Sequence, residues 1–286
     1  MAYTSSTSYT FKFFLLSFLL LLVTLNPSLC FANIDNNEEF SIVGYDGDFL
    51  DAFHGDYTPP SPPPPPPPPH PPSLTCEDDL YGIGSLNTSC VLNSSLIFID
   101  DVYIAGNGSL YIAPGVNLSC AVLGCSIMVN MSGGFSLGSY SVIVAGSVSV
   151  YAWNASLFEG SVINVSALAG MPPAQTSGTP SGVQGAGGGH GGRGASCVLD
   201  NTKLPDDVWG GDAYSWSSLD APASFGSRGG TTVKGENYGG EGGGKIWIEV
   251  NTTMEVSGSL FADGGDGGVK GGGGSGGSIF VKAQRM

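Results

Sequence analysis

From residue 73 onward, apolar and polar positions alternate. The stretches "SSLIFIDDVYIAGNGSLYIAPGVNLSC" (94–120) and "FSLGSYSVIVAGSVSVYAWNASLFEGSVINVSAL" (135–168) keep a period of two and are rich in Val, Ile, Leu and aromatics. That pattern predicts short β-strands with one buried face, and no window of helical length keeps a 3.6-residue period. Gly84, Gly108, Gly134 and Gly160 punctuate the strands at intervals of 24, 26 and 26 residues. A fixed period in the twenties signals stacked coils, each burying its apolar face against its neighbours. The expected fold is therefore all-β: a parallel β-solenoid, β-helix-like and right-handed, over residues 73–286, with glycine-rich turns.

N-x-S/T sequons test that phase. They occur at Asn87, Asn93, Asn107, Asn117, Asn130, Asn154, Asn164 and Asn251. A glycosylated asparagine points outward, so in a strand both of its neighbours point inward. The neighbours are Val116 and Leu118, Val129 and Met131, Trp153 and Ala155, and Ile163 and Val165 around Asn117, Asn130, Asn154 and Asn164. All are apolar, which predicts strands with one buried and one glycosylated face.

The alternation resumes in "GGKIWIEVNTTMEVSGSLFADGG". Ile246, Ile248 and Val250 are expected inside, followed by Met254, Val256, Leu260 and Phe261 around the next Gly-Ser. A further strand opens at residue 275 in "SGGSIFVKA", and the pattern runs almost to the final residues. Solenoid ends need caps, so this reads as a solenoid truncated at its C-terminus.

The N-terminal residues differ. Phe13–Leu25 is an apolar run too short to span a bilayer, preceded by Lys12 and followed by Pro27. Cys30 and Ala32 are small residues placed for cleavage after Ala32, so 1–32 reads as a secretory signal peptide. No later segment is long and apolar enough to span a membrane. Residues 33–58 hold seven acids, no Lys or Arg, and too few apolar residues for a core, so they read as a disordered acidic leader. Residues 59–72, with eight consecutive prolines after Ser61, form a stiff polyproline II spacer. This stretch alone resembles plant extensin modules.

Charge and cysteine content narrow the partners. The chain has 24 Asp plus Glu against 9 Lys plus Arg, a net charge of −15. Without a basic footprint, nucleic acid is excluded as a partner and an anionic membrane surface is disfavoured. Acidity suits a soluble extracellular setting. Once Cys30 leaves with the signal peptide, Cys76, Cys90, Cys120, Cys125 and Cys197 remain. In an oxidising compartment these pair, and an odd count leaves one free or bonded outside the chain. Order along the chain suggests Cys76–Cys90 and Cys120–Cys125, although connectivity is not deducible from sequence. Those loops would stabilise by about 3 and about 2 kcal/mol in the chain-entropy model. With no C-x2-C and with His54, His70 and His190 scattered, no zinc or other metal site is expected.

"GAGGGHGGRGASC" (185–197) holds seven glycines in thirteen positions. A phosphate-binding P-loop needs a Lys and a following helix, and a dinucleotide fingerprint needs a helix. Neither is present, so the tracts at 182–194, 239–244 and 263–277 read as tight structural turns, using positive φ or close backbone approach. Gly189-His190-Gly191 and Asp206-Asp207 superficially match elements of polygalacturonases, β-helix enzymes in which paired acids cleave glycosidic bonds. Here G-H-G precedes D-D, N-T-D is missing, and Lys245-Ile246 and Lys282 do not form R-I-K. Calcium-dependent pectate lyase fits no better, because no acid cluster recurs at one coil position. "ADGGDGG" does not keep the phase of calcium-binding nonapeptides.

The run from Cys76 through "DLYGIGSLNTSC", "DVYIAGNGSLYIAPGVNLSC", "AGMPPAQTSGTPSGVQGAGGGHGGRGASC", "LPDDVWGGDAYSWSSLDAPASFGSRGG" and "GGVKGGGGSGGSIFVKA" resembles the N-terminal part of large plant glycine-rich secretory-pathway proteins. They are sometimes loosely labelled ephrin-receptor-like. The resemblance covers about residues 73–286. It implies a longer chain with C-terminal membrane helices, and it implies no reaction and no catalytic residue. It also implies cysteines where this chain has Ser196 and Ala223, hence a lost bridge that leaves Cys197 as the candidate unpaired thiol.

The resulting expectation is a non-enzymatic glycoprotein of the secretory pathway, extracellular or at the wall or cell surface, with a structural or adhesive role and no cofactor. Its expected partner is cell-wall polysaccharide, met through Trp209, Tyr214 and Trp216 unless these three cap the core instead, or another extracellular protein. The alternatives are a carbohydrate-active β-helix enzyme and an ectodomain fragment of a larger membrane protein.

Overall fold

The computed structural model describes residues 70–173, 175–178, 180–181, 184–195, 210–214, 220–231 and 239–286. The expected signal peptide with its cut after Ala32, the acidic leader and most of the polyproline spacer lie outside these residues. Cys197, Asp206, Asp207, Trp209 and Trp216 lie outside them too.

Among the described residues there is no helix. The chain runs through β1 (Ile83–Gly84), β2 (Ser89–Leu92), β3 (Leu96–Ile97) and β4 (Val102–Gly106). It then repeats a three-strand circuit. β5 (Ser109–Ile112), β6 (Asn117–Ser119) and β7 (Ser126–Met131) are followed by β8 (Gly134–Leu137), β9 (Val142–Val144) and β10 (Ser147–Ala152), then by β11 (Asn154–Leu157) and β12 (Val162–Asn164). Next come the short β13 (Pro180–Ser181) and β14 (Gln184–Gly185). The circuit resumes with β15 (Lys245–Val250), β16 (Met254–Val256), β17 (Ser259–Phe261) and β18 (Ser278–Lys282).

Every third strand joins the same sheet. Sheet A is ordered β1-β2-β5-β8-β11-β16, sheet B β17-β12-β9-β6-β3, and sheet C β18-β15-β10-β7-β4. Pairing within them is parallel except for the β1–β2 hairpin, and β13 and β14 form a separate antiparallel pair. A path that visits A, B and C in turn is compatible with a three-faced β-solenoid. In sheet A the register steps Ser89↔Ser109, Leu110↔Phe135 and Gly134↔Asn154 measure circuits of 20, 25 and 20 residues.

The alternation does what the sequence implies. Like residues stack in rows along the interior: Leu92, Ile112, Leu137 and Leu157 in sheet A, Leu118, Ile143 and Ile163 in sheet B, and Ile104, Val129, Val150 and Ile248 in sheet C, all buried. Val116, Val165 and Ile246 are buried as expected. Each such side chain contributes about 1.5–3 kcal/mol relative to exposure.

Four expectations need correction, the last of them the glycine tracts. The evenly spaced glycines do not share one position. Gly108 and Gly134 sit at the start of sheet A strands, Gly160 precedes β12, and Gly84 belongs to the hairpin. Corners between sheets differ in length, so spacing between corner glycines does not measure the circuit. Trp153 is 53 % exposed rather than inside, because it lies at the bend between β10 and β11, where the alternation restarts. Val256 and Phe261 are each 42 % exposed: Val256, level with buried Leu157, because β16 is the edge strand of sheet A, and Phe261 because it pairs with Asn164 on the outward face while Leu260 faces in with Ile163.

The glycine tracts are not mainly turns. They run as extended segments between β12 and β15 and between β17 and β18, bonded to each other every third residue. The Gly226 and Gly229 N–H groups donate to the Gly243 and Gly240 carbonyls, both at 2.8 Å. Those of Gly240 and Gly243 donate to Gly272 and Ser275, both at 2.9 Å, and those of Gly272 and Ser275 to Gly230 and Ser227, again at 2.9 Å. A three-residue recurrence is the repeat of a polyproline-II-type extended helix, here hydrogen-bonded to neighbours rather than to water. Glycine is required by proximity. A Cβ on Gly240 would lie 1.9 Å from the Gly265 carbonyl oxygen, and one on Gly277 1.7 Å from that of Gly244. Positive φ is not the reason: the described glycines with positive φ are Gly84, Gly115, Gly124 and Gly160, all outside the tracts.

Candidate functional site

The asparagines of seven sequons, Asn87, Asn93, Asn107, Asn117, Asn130, Asn154 and Asn251, are exposed. Asn164 is half-buried, and its Oδ1 accepts the Ser166 N–H at 2.9 Å. On β6 and β7 the residues flanking Asn117 and Asn130 are buried, so one strand offers a sugar acceptor outside and packing inside.

Two disulfides close the early coils: Cys76–Cys90, with Cα atoms 5.9 Å apart, and Cys120–Cys125, at 6.0 Å. They point to an oxidising, secretory or extracellular environment. Thr75, beside the first bridge, donates its N–H and hydroxyl to Asp79 Oδ2 at 2.7 and 2.8 Å. Those bonds hold the Asp79 carboxyl below its ordinary pKa.

His190 faces backbone and an aromatic ring. Its Nδ1 lies 2.6 Å from the Gly276 carbonyl oxygen, and its ring stacks on Tyr214 at 4.8 Å. Asp212 pairs with Arg193 at 3.1 Å. Tyr214 is buried, as the core-capping alternative has it and not as an exposed sugar platform, and its hydroxyl donates to the Phe225 carbonyl. Burial raises the Tyr214 pKa, and a hydrogen bond from Ser227 works against that shift. Ser227 Oγ also lies 2.7 Å from Thr176 Oγ1, and Thr176 donates to the Pro173 carbonyl at 2.7 Å. This is a structural knot holding two glycine segments together. On sheet C, Trp247 and Phe280 stack on each other at 4.0 Å, which ties β15 to β18. Among the described residues, no group of three or more His, Cys, Asp or Glu is placed to hold a metal ion. Likewise, no helix among them is long and apolar enough to cross a membrane.

A concave feature among the described residues lies where sheet B turns into sheet C. One compartment, of about 460 Å3, is lined by Leu123, Met171, Pro172, Ser177, Arg228 and Glu241, among others. A second, of about 790 Å3, adds Pro71, Ile99, Asp100, Asp101, Val122 and Phe225. Leu123, Gly170 and Met171 line both, so the two adjoin. The disulfide-closed loop 120–125 forms one wall, and the chain leaving β12 forms another. Met171 is 96 % exposed and Leu123 53 %. Exposed apolar side chains gathered beside a few charges make this a candidate binding groove. The charges are Asp100 and Asp101 at one end and the paired Arg228 and Glu241 at the other. Arg228 Nε is buried with no hydrogen-bond partner. Sequence reading singled out none of these residues, because they converge only through the departure of the chain from the stack.

No family model, curated protein or solved structure matches this chain.

Proposed function

We propose that the chain is a secreted or cell-surface glycoprotein with a structural or adhesive, non-enzymatic role, and that its groove at the B–C corner binds cell-wall polysaccharide. The observation that carries this reading is the division of single strands into a packed interior and sequon asparagines facing solvent. The two disulfides support export. The groove offers apolar surface for sugar ring faces, with carboxylates and a guanidinium for hydroxyls. The non-enzymatic reading is supported by His190, which is engaged by a carbonyl and a tyrosine ring, and by Asp212, which is engaged by Arg193. The resemblance to plant glycine-rich secretory-pathway proteins points the same way.

The test uses the full chain secreted from a eukaryotic host and incubated with insoluble pectin, xylan or cellulose. Depletion from solution by one polysaccharide is expected. It should fall at least tenfold in a Leu123→Asp/Met171→Asp variant that keeps its melting temperature. Release of reducing sugar would replace this reading with an enzymatic one, and unchanged depletion in the variant would move the site elsewhere.

A further inference from the structure

Successive circuits pass from sheet C into sheet A at one corner; four of the eight sequons lie at these crossings, and a fifth, Asn87, lies in the β1–β2 hairpin turn that leads into the first sheet A strand of the stack. Asn87 sits in the turn before β2, and Asn107 lies between β4 and β5. Asn130 is the penultimate residue of β7, Asn154 opens β11 directly after β10, and Asn251 directly follows β15. All five are exposed. Register confirms the alignment. Ser89 pairs with Ser109, which places Asn87 and Asn107 each two residues before a matched position. Asn154 pairs with Gly134, and a Cβ on Gly134 would lie 2.5 Å from Asn154 Oδ1, so a glycine leaves room for that side chain. Five sequons falling on one edge of a three-cornered path is a property of the fold, because their sequence spacings are irregular.

We propose that the C–A corner carries a continuous row of N-linked glycans. This rests on the reading of the chain as exported. At each site the asparagine Nδ2 attacks the anomeric carbon of a lipid-diphosphate-linked oligosaccharide. A C–N bond forms as the C–O bond to the diphosphate breaks. The amide proton passes to the transferase, and lipid diphosphate departs.

Room for such a row comes from stagger. Adjacent circuits are about 4.8 Å apart. In sheet C, Ala105, Asn130, Tyr151 and Glu249 share one level. Asn107 lies two residues beyond that level, Asn154 three and Asn251 two, while Asn130 is on it. Asn130 is therefore set back along the chain by two residues from Asn107 and by three from Asn154. Asn87 with Asn107, and Asn154 with Asn251, remain within about two strand spacings. Glycans on these pairs would lie side by side along the corner. Of the eight sequons, Asn164, half-buried at the end of β12, is the one at the turn from sheet B toward sheet C.

The experiment maps occupancy in the full chain recovered from the medium of a eukaryotic host. Glycans are released enzymatically in heavy-oxygen water, and peptides are weighed. The expected result is heavy-oxygen aspartate at Asn87, Asn107, Asn130, Asn154 and Asn251. Single Asn→Gln variants at these positions should each remove one glycan's mass from the intact protein. An exported, disulfide-bonded protein with corner sites empty, or with glycans only at Asn93, Asn117 or Asn164, overturns the row and leaves the reading of export standing. A chain retained in the cytosol overturns both.

Discussion

The stacked coils and the glycine tracts solve one problem with opposite materials. In the stack, side chains fill the space between three sheets, and backbone bonds join strands in parallel registers. In the tracts there are almost no side chains to bury. Segments approach until carbonyls stand where Cβ atoms would otherwise be, as at Gly240 and Gly277. The stack is held by apolar burial and hydrogen bonds together, and the tracts mostly by hydrogen bonds whose donors and acceptors would cost free energy if left unpaired. The two regions should therefore fail under opposite substitutions: the stack when side chains shrink, the tracts when they grow.

The largest effect is expected in the stack. Phe135 is among the largest fully buried side chains, and Phe135→Ala should cost about 3–5 kcal/mol. Thermal or denaturant unfolding of the secreted protein would measure it. Gly240→Ala comes next, at about 1–3 kcal/mol or more, because two backbones must separate. Gly192→Ala provides the contrast. No atom lies within 4 Å of the added carbon, so the change should stay within about 0.5 kcal/mol. Equal effects at Gly240 and Gly192 would show that close backbone approach is not what requires glycine in the tracts. Selective loss of the Cys120–Cys125 bridge should cost about 2 kcal/mol and loosen the wall of the groove.

The smallest effect concerns pH. Lys282 Nζ lies 2.7 Å from Glu249 Oε1, and this pairing depresses the Glu249 pKa below its ordinary value. A depressed carboxyl contributes stability that is present above its unfolded pKa and is lost as pH falls through the folded one. Stability should therefore decline slightly as the solution is acidified below about pH 4, and Lys282→Ala should flatten that slope. The pair is exposed, so the change is small.

Much of the stack was legible because period-two alternation writes the buried face directly into residue type. Val116, Leu118, Val129, Ile163, Val165, Ile246 and Ile248 are all buried as expected. Trp153 was not legible, because a corner resets the alternation without any change in composition. The tracts hid their architecture for a physical reason. Their three-residue period resides in backbone donors and acceptors, and a run of glycines gives no side chain to mark phase. The groove was hidden because Leu123, Met171, Arg228 and Glu241 share no spacing. His190 carried no signal in the sequence beyond the Gly189-His190-Gly191 match, and His190→Ala on an unengaged surface side chain would cost little. Its ring stack and its contact with Gly276 raise that expectation to about 1 kcal/mol.

Amide hydrogen exchange, read residue by residue, tests most directly whether the tracts are held by their own backbone lattice. The Gly240, Gly243 and Gly272 N–H groups donate across segments, whereas Gly192 lies in open space. The account predicts that the first three exchange as slowly as strand amides such as Ile143, and that Gly192 exchanges at the rate of a free chain. Rapid exchange at Gly240, Gly243 and Gly272 alongside a protected Ile143 would contradict it.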